Sequence, residues 1–173
     1  MNTKAAIKLL FLVLILLTFW RCSYTFTGAS VPDHLSSIAI PLVEDRSGSA
    51  EPELQQTFTD FLEQKFLDDN TLQVRDKQNS DAVIECSITS LVDAPAAVSG
   101  SDLGEGISSR KITINVKVVY RDFVLRKTVW DRNFSNYGEY VNEGDIQTVR
   151  REAIEVAAEK LAEDILLAVV SNW

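Results

Sequence analysis

The sequence predicts an α+β domain in the order β-α-β-β-β-α, a four-stranded mixed sheet with two helices packed on one face. Three observations carry this. Four stretches alternate apolar and polar residues, the period of a half-buried strand. Two longer stretches repeat apolar residues every three or four positions, the period of an amphipathic helix. Strand stretches lie on both sides of the first helical one, so a strand-helix-strand crossover makes the first two strands parallel.

Ser37 to Val43 is the first strand, with Ile38, Ile40 and Leu42 alternating. Pro41 has no N–H to give to a ladder, so it must end the strand or lie at an edge. Pro52 then suits a helix start, where a missing N–H costs nothing. Leu54, Phe58, Phe61, Leu62 and Phe66 form one face of that helix, which closes at Asp68-Asp69-Asn70. The acids at its C-terminus oppose the helix dipole and favour fraying there. Asp81 to Leu91 is the second strand, with Ala82, Ile84, Cys86 and Ile88 on one face and Glu85 on the other. Cys86 therefore reads as a small buried hydrophobe.

Asp93 to Ser109 is a long Gly/Ser/Ala loop, of a length more often functional or mobile than structural. Lys111 to Arg121 is the clearest strand. Ile112, Ile114, Val116, Val118 and Tyr120 point one way, and Lys111, Lys117 and Arg121 the other. Asp122 to Arg126 turns the chain into a fourth strand, Lys127 to Phe134, antiparallel to the third. Tyr137 to Tyr140 leads out of it. A helix from Asp145 to Ser171 completes the order, with an apolar stripe from Ile146 to Val169 and Arg150, Arg151, Glu155 and Glu159 on its wet side.

Composition narrows the function. The chain has 173 residues, a one-domain length, and its 46% hydrophobic share is that of a folded protein. A net charge of −8, from 17 basic and 25 acidic side chains, argues against nucleic acid, which needs clustered cations. Two cysteines and one histidine exclude a disulfide scaffold and a Cys/His zinc site. No Gly-rich phosphate loop precedes a helix, and no G-x-S-x-G is present. His34 stands apart from other chemistry and reads as a surface histidine. The expectation is a protein that is not an enzyme and carries no cofactor and no metal.

Residues 1–21 read as a lipoprotein signal peptide, residues 22–36 as a lipidated N-terminal tether and residues 37–173 as the domain. Lys4 and Lys8 precede an apolar run from Leu9 to Trp20. Its 12 residues would span about 18 Å as a helix, short of the roughly 30 Å hydrocarbon core. Export and cleavage follow from that. Cys22 sits where a bacterial lipoprotein carries its acyl chains. The preceding Phe19-Trp20-Arg21 departs from the usual small-residue context, and the other reading is a signal anchor with an incidental cysteine.

The charge is uneven. Between 110 and 132 stand Arg110, Lys111, Lys117, Arg121, Arg126, Lys127 and Arg132, opposed only by Asp122 and Asp131. A basic hairpin thus protrudes from an otherwise acidic domain. Two readings stay open. The cations can guard a sheet edge against unwanted pairing, or they can form a patch for an anionic head group.

The ordered set of segments is similar to the LptE family of lipopolysaccharide-assembly lipoproteins. It comprises Cys22-Ser23-Tyr24-Thr25-Phe26-Thr27-Gly28, His34-Leu35, Ile38-Ala39-Ile40-Pro41, the Leu54 to Asn70 helix and Asp81-Ala82-Val83-Ile84-Glu85. It continues through Tyr120-Arg121-Asp122, Trp130, Phe134-Ser135-Asn136-Tyr137-Gly138 and the closing Ser171-Asn172-Trp173. The resemblance covers 22–173. It implies two helices on a four-stranded sheet, lipid anchoring to the membrane on the periplasmic face of the outer membrane, and a plug in an LptD-like β-barrel. It also implies lipopolysaccharide as a partner, delivered to the outer leaflet. Arg110, Lys111, Lys117, Arg121, Arg126 and Lys127 are the candidate contacts for lipopolysaccharide or barrel, on the charge argument alone. The alternative is an outer-membrane lipoprotein that scaffolds another envelope complex without touching lipopolysaccharide.

Overall fold

The computed structural model describes residues 31–96 and 109–171. The leader, Cys22, Trp173 and most of the Asp93–Ser109 loop lie outside those residues. In order, the elements are β1 (Ser37–Ala39), β2 (Glu44–Asp45), α1 (Leu54–Asp69), β3 (Gln73–Val74), β4 (Ala82–Pro95), β5 (Ser109–Asp122), β6 (Lys127–Val141) and α2 (Ile146–Ser171). One sheet runs β3-β1-β4-β5-β6, and β2 also pairs with β4. The class is α+β and the sheet is mixed, as the sequence predicts. β1 is parallel to β4, and β5 is antiparallel to β6.

The sheet has six strands rather than four. Pro41 supplies part of the reason. β1 and β2 lie along the same strand, β4, at Ala82–Val83 and Ser87–Ile88, with Ile40 to Val43 looping out between them. A proline cannot donate to the ladder, so one expected strand becomes two short ones. The other addition is β3, which follows α1 and pairs in parallel with β1. It is only two residues long, too short to show an alternation.

The long strands outrun their predicted bounds. β4 continues to Pro95 through a bulge at Thr89, because Ile88 opposes Val116 while Ser90 opposes Asn115. The extra residue reverses the alternation. Before it Ala82, Ile84, Cys86 and Ile88 face the helices; after it Leu91 and Asp93 share the side of Ile114 and Ile112. β6 extends seven residues past Phe134. Gly138 obscures that continuation in the sequence, since glycine weakens strands. Its reason for being there is tertiary. A Cβ at Gly138 would collide with the carbonyl oxygen of Ala153 in α2.

One core joins the helix-facing side of the sheet to both helices. Leu54, Phe58, Leu62 and Phe66 of α1 are buried in it, as are Ala157, Leu161, Ile165 and Val169 of α2. Alanines along α2 hold it close to the sheet, and Gly138 lets it approach closer still. At the end of α1, Asn70 adopts a left-handed conformation (φ 54°) and donates its N–H to the Phe66 carbonyl at 3.1 Å. This cap meets the carbonyls that the acidic terminus would leave open. Cys86 is buried, and burial pushes its thiol up to about 12.

Packing starts ahead of Ser37. Leu35 is buried. Asp81 accepts four hydrogen bonds, from the N–H and the Oγ of both Ser36 and Ser37, at 2.8–3.0 Å. Those bonds, led by the Ser36 N–H, hold its carboxyl down at about 2. His34 is not a lone surface residue. Its Nε2 lies 2.7 Å from Oδ2 of the buried Asp122, 88 positions on.

Candidate functional site on the open sheet face

The strand alternation that builds the core leaves the opposite face of the sheet without a helix. Glu85 and Ser87 of β4 lie there, with Lys117, Val119 and Arg121 of β5. Beside them the Pro41 interruption opens a cleft of about 410 Å³. Its charged lining is Glu44, Arg46, Lys77, Glu85, Lys117 and Arg121, four cations and two carboxylates.

These charges are linked. Glu85 takes Lys77 Nζ at 2.8 Å and Arg121 Nη1 at 3.1 Å. The hydrogen bond from Lys77, with the charge of Arg121, holds the Glu85 carboxyl below its usual range against the opposing effect of partial burial. Lys117 Nζ lies 3.1 Å from Asp131, across the hairpin on β6. Arg46 pairs with Glu44. The pairs are solvated, and each is worth roughly 0–1 kcal/mol. A phosphate, which accepts from guanidinium and ammonium alike, can therefore displace a carboxylate at small cost.

The six predicted contacts fall into three places. Lys117 and Arg121 meet in the cleft. Arg121 also lines a smaller hollow at the β5–β6 turn with Arg126 and Lys127, so these four make one continuous basic run. Lys111 stands nearer the far end of β5, its Nζ 5.0 Å from the centre of the Tyr137 ring. Lys160 of α2 reaches the same ring at 5.2 Å. Arg110 is on the other face. The period of β5 points it to the helix side, where its Nε meets Asp93 Oδ1 at 2.8 Å and the Tyr140 hydroxyl at 3.0 Å.

Arg110 there belongs to a knot at the end of the sheet. Asp93 also accepts from the Tyr140 hydroxyl at 2.8 Å and from Arg150 Nε at 3.3 Å. Arg150 goes on to Glu51, ahead of α1. Burial opposes ionisation of Asp93, but the Tyr140, Arg110 and Arg150 hydrogen bonds outweigh it and lower its carboxyl. Arg132, the last cation of the basic window, covers Trp130 at 5.3 Å from the ring centre.

The sequence reading missed Arg46 and Lys77. Each is an isolated cation outside the basic window; pairing of β2 with β4 brings Arg46 to the cleft, and the short turn Lys77–Asn79 ahead of β4 brings Lys77 to Glu85 beside Arg121. Among the described residues, no group of three or more His, Cys, Asp or Glu is placed to hold a metal ion. No described helix is long and apolar enough to cross a membrane.

A family model described as LptE, lipopolysaccharide-assembly, matches residues 35–169. Several solved structures share the fold. A hypothetical protein from Chlamydia trachomatis is 13% identical with a TM-score of 0.59, covering 78% of this chain and 95% of its own. A putative neuraminyllactose-binding hemagglutinin homologue from Helicobacter pylori is 14% identical with a TM-score of 0.57, covering 84% and 91%. A minor lipoprotein from Acinetobacter baumannii is 13% identical with a TM-score of 0.52, covering 80% and 94%. At such identities the likeness is one of fold. No curated protein matches the chain significantly.

Proposed function

The chain belongs to the LptE lipopolysaccharide-assembly family, and we propose that it is the lipoprotein partner of an LptD-type barrel. Exported through residues 1–21 and acylated at Cys22, it sits at the periplasmic face of the outer membrane. Its domain plugs the barrel lumen and aids insertion of lipopolysaccharide into the outer leaflet. It does so by binding and positioning, without catalysis.

The observation that carries this reading is the family match over most of the chain. The open face supports it. Lys117 and Arg121, with Lys77 and Arg46 beside them, give a cation-rich surface free of helices. Such a surface suits either lipid A phosphates or acidic groups of a barrel wall. The weak carboxylate pairs keep the cations in place until an anion replaces them.

The test is a pull-down through a tag on the C-terminus, run beside a lipopolysaccharide-binding assay. The wild-type chain should recover a large outer-membrane barrel. Lys117→Glu combined with Arg121→Glu should lower lipopolysaccharide binding at least tenfold, since reversing a cation at a phosphate site costs well over 1.4 kcal/mol. Recovery of some other envelope complex, with no barrel, would favour the scaffold reading. Unchanged binding and barrel recovery in the double variant would remove the open face from the mechanism.

A further inference from the structure

The β5–β6 turn combines three features, of which only the cations enter the reading of the open face as a contact for lipopolysaccharide or barrel. It ends in two exposed aliphatic side chains, Val124 (52% exposed) and Leu125 (53% exposed). Cations flank them, with Arg121, Arg126 and Lys127 lining a hollow of about 260 Å³ beside the tip. The turn is also fixed in shape. The buried Asp122 carboxylate accepts the Leu125 N–H at 2.7 Å, and Arg126 adopts a left-handed backbone (φ 52°).

A second contact fixes where the tip lies. His34 holds the same Asp122 at 2.7 Å, so the N-terminal segment meets the domain at the hairpin turn. Cys22 precedes His34 by twelve residues, which reach at most about 40 Å when fully extended. If Cys22 is acylated, the His34–Asp122 contact at the base of the turn cannot lie further than that from the bilayer that holds the acyl chains.

We infer that the β5–β6 turn is a second membrane contact, in which Val124 and Leu125 enter the interface of an anionic phospholipid bilayer while Arg126 and Lys127 meet lipid phosphates. The chemistry is that of an interfacial anchor, an apolar tip ringed by cations. Among the described residues, neither Arg126 nor Lys127 has a carboxylate at ion-pair distance. Asp122, the acid nearest in sequence, is buried and engaged by His34 and the Leu125 N–H. Acylation with an anchored tip holds the domain at two points, where acylation alone leaves it swivelling. This inference rests on the proposed acylation of Cys22, and the experiment separates the two.

The full acylated chain, with Val124→Cys labelled by an environment-sensitive fluorophore, is reconstituted into vesicles of phosphatidylethanolamine and phosphatidylglycerol without lipopolysaccharide or barrel. Cys86 is buried and does not take the label. Leu67→Cys, on exposed α1 surface, is the reference. Flotation reports the anchor, and quenching by a bilayer-resident quencher reports the tip. The inference expects both chains to float and only the Val124 label to be quenched. Arg126→Gln with Lys127→Gln should weaken tip insertion roughly 30-fold, from about 1 kcal/mol per cation near an anionic surface. Floating chains with equal quenching at both labels overturn the tip contact and leave the anchor standing. Quenching that needs added barrel or lipopolysaccharide also overturns it. A chain that does not float overturns both.

Discussion

The two faces of the sheet are built from the same strands in opposite ways. The helix side is a packed layer of aliphatic and aromatic residues, with Tyr120, Trp130 and Phe134 in a row 5.5 and 5.9 Å apart. The open side is a set of solvated charges, each cation of the cleft within reach of a carboxylate. Hydrophobic burial scales with area removed from water, so the helix side carries the fold. Solvated pairs add little, so the open side can exchange partners without disturbing it. Stability is thus assigned to one face of the hairpin and the proposed binding to the other.

Breaking the helix side should have the largest effect. Gly138→Val forces α2 away from β6 at Ala153, an overpacking with backbone on the other side of the contact. A loss of about 3 kcal/mol or more is expected, seen as a large drop in Tm or as failure to fold. Phe58→Ala leaves a void under α1 and should cost about 3–5 kcal/mol in urea unfolding. An effect as small as that of an open-face change at either site would erase the contrast between the faces.

Asp81 offers an intermediate case at the junction of N-terminal segment and sheet. Asp81→Ala should cost about 2 kcal/mol at neutral pH through lost charge-assisted hydrogen bonds. Its carboxyl is lowered from 3.8 to about 2. Its contribution is therefore complete above the unfolded value and disappears as pH falls through the folded one. The stability gap between wild type and Asp81→Ala should narrow between those two values. A gap that stays constant there would assign the loss to packing.

The smallest effect sharpens the comparison most. Glu85→Gln removes the charge that holds Lys77 and Arg121, yet should change stability by no more than about 1 kcal/mol. Lipopolysaccharide binding should rise rather than fall, because two cations lose a competing carboxylate. Weaker binding in that variant would show that Glu85 orients the cations instead of competing for them.

What could be read from the chain follows from where each signal is stored. Ile112 to Tyr120 and Leu54 to Phe66 declare their faces locally, and both were legible. The last strand was ended at Phe134, short of Gly138, because the justification for that glycine is the Ala153 backbone on another element. His34 looked idle because Asp122 lies far along the chain. Lys117 and Arg121 were legible as a shared strand face. Arg46 and Lys77 were not, since the pairing of β2 with β4 across α1 brings one to the cleft and the turn ahead of β4 brings the other. Arg110 was grouped with the patch on charge alone, although strand parity already separates it from Lys111.

The bulge at Thr89 sets the phase of everything beyond it. Were the strand to run through Thr89 without the bulge, the alternation would continue unbroken and turn Asp93 out to the open side. Arg110 and Arg150 would then face each other beneath α2 with their shared carboxylate gone, while the open face gained an acid. A single inserted residue thus works as a frame marker, deciding which layer of the molecule receives the charge of a strand's last third.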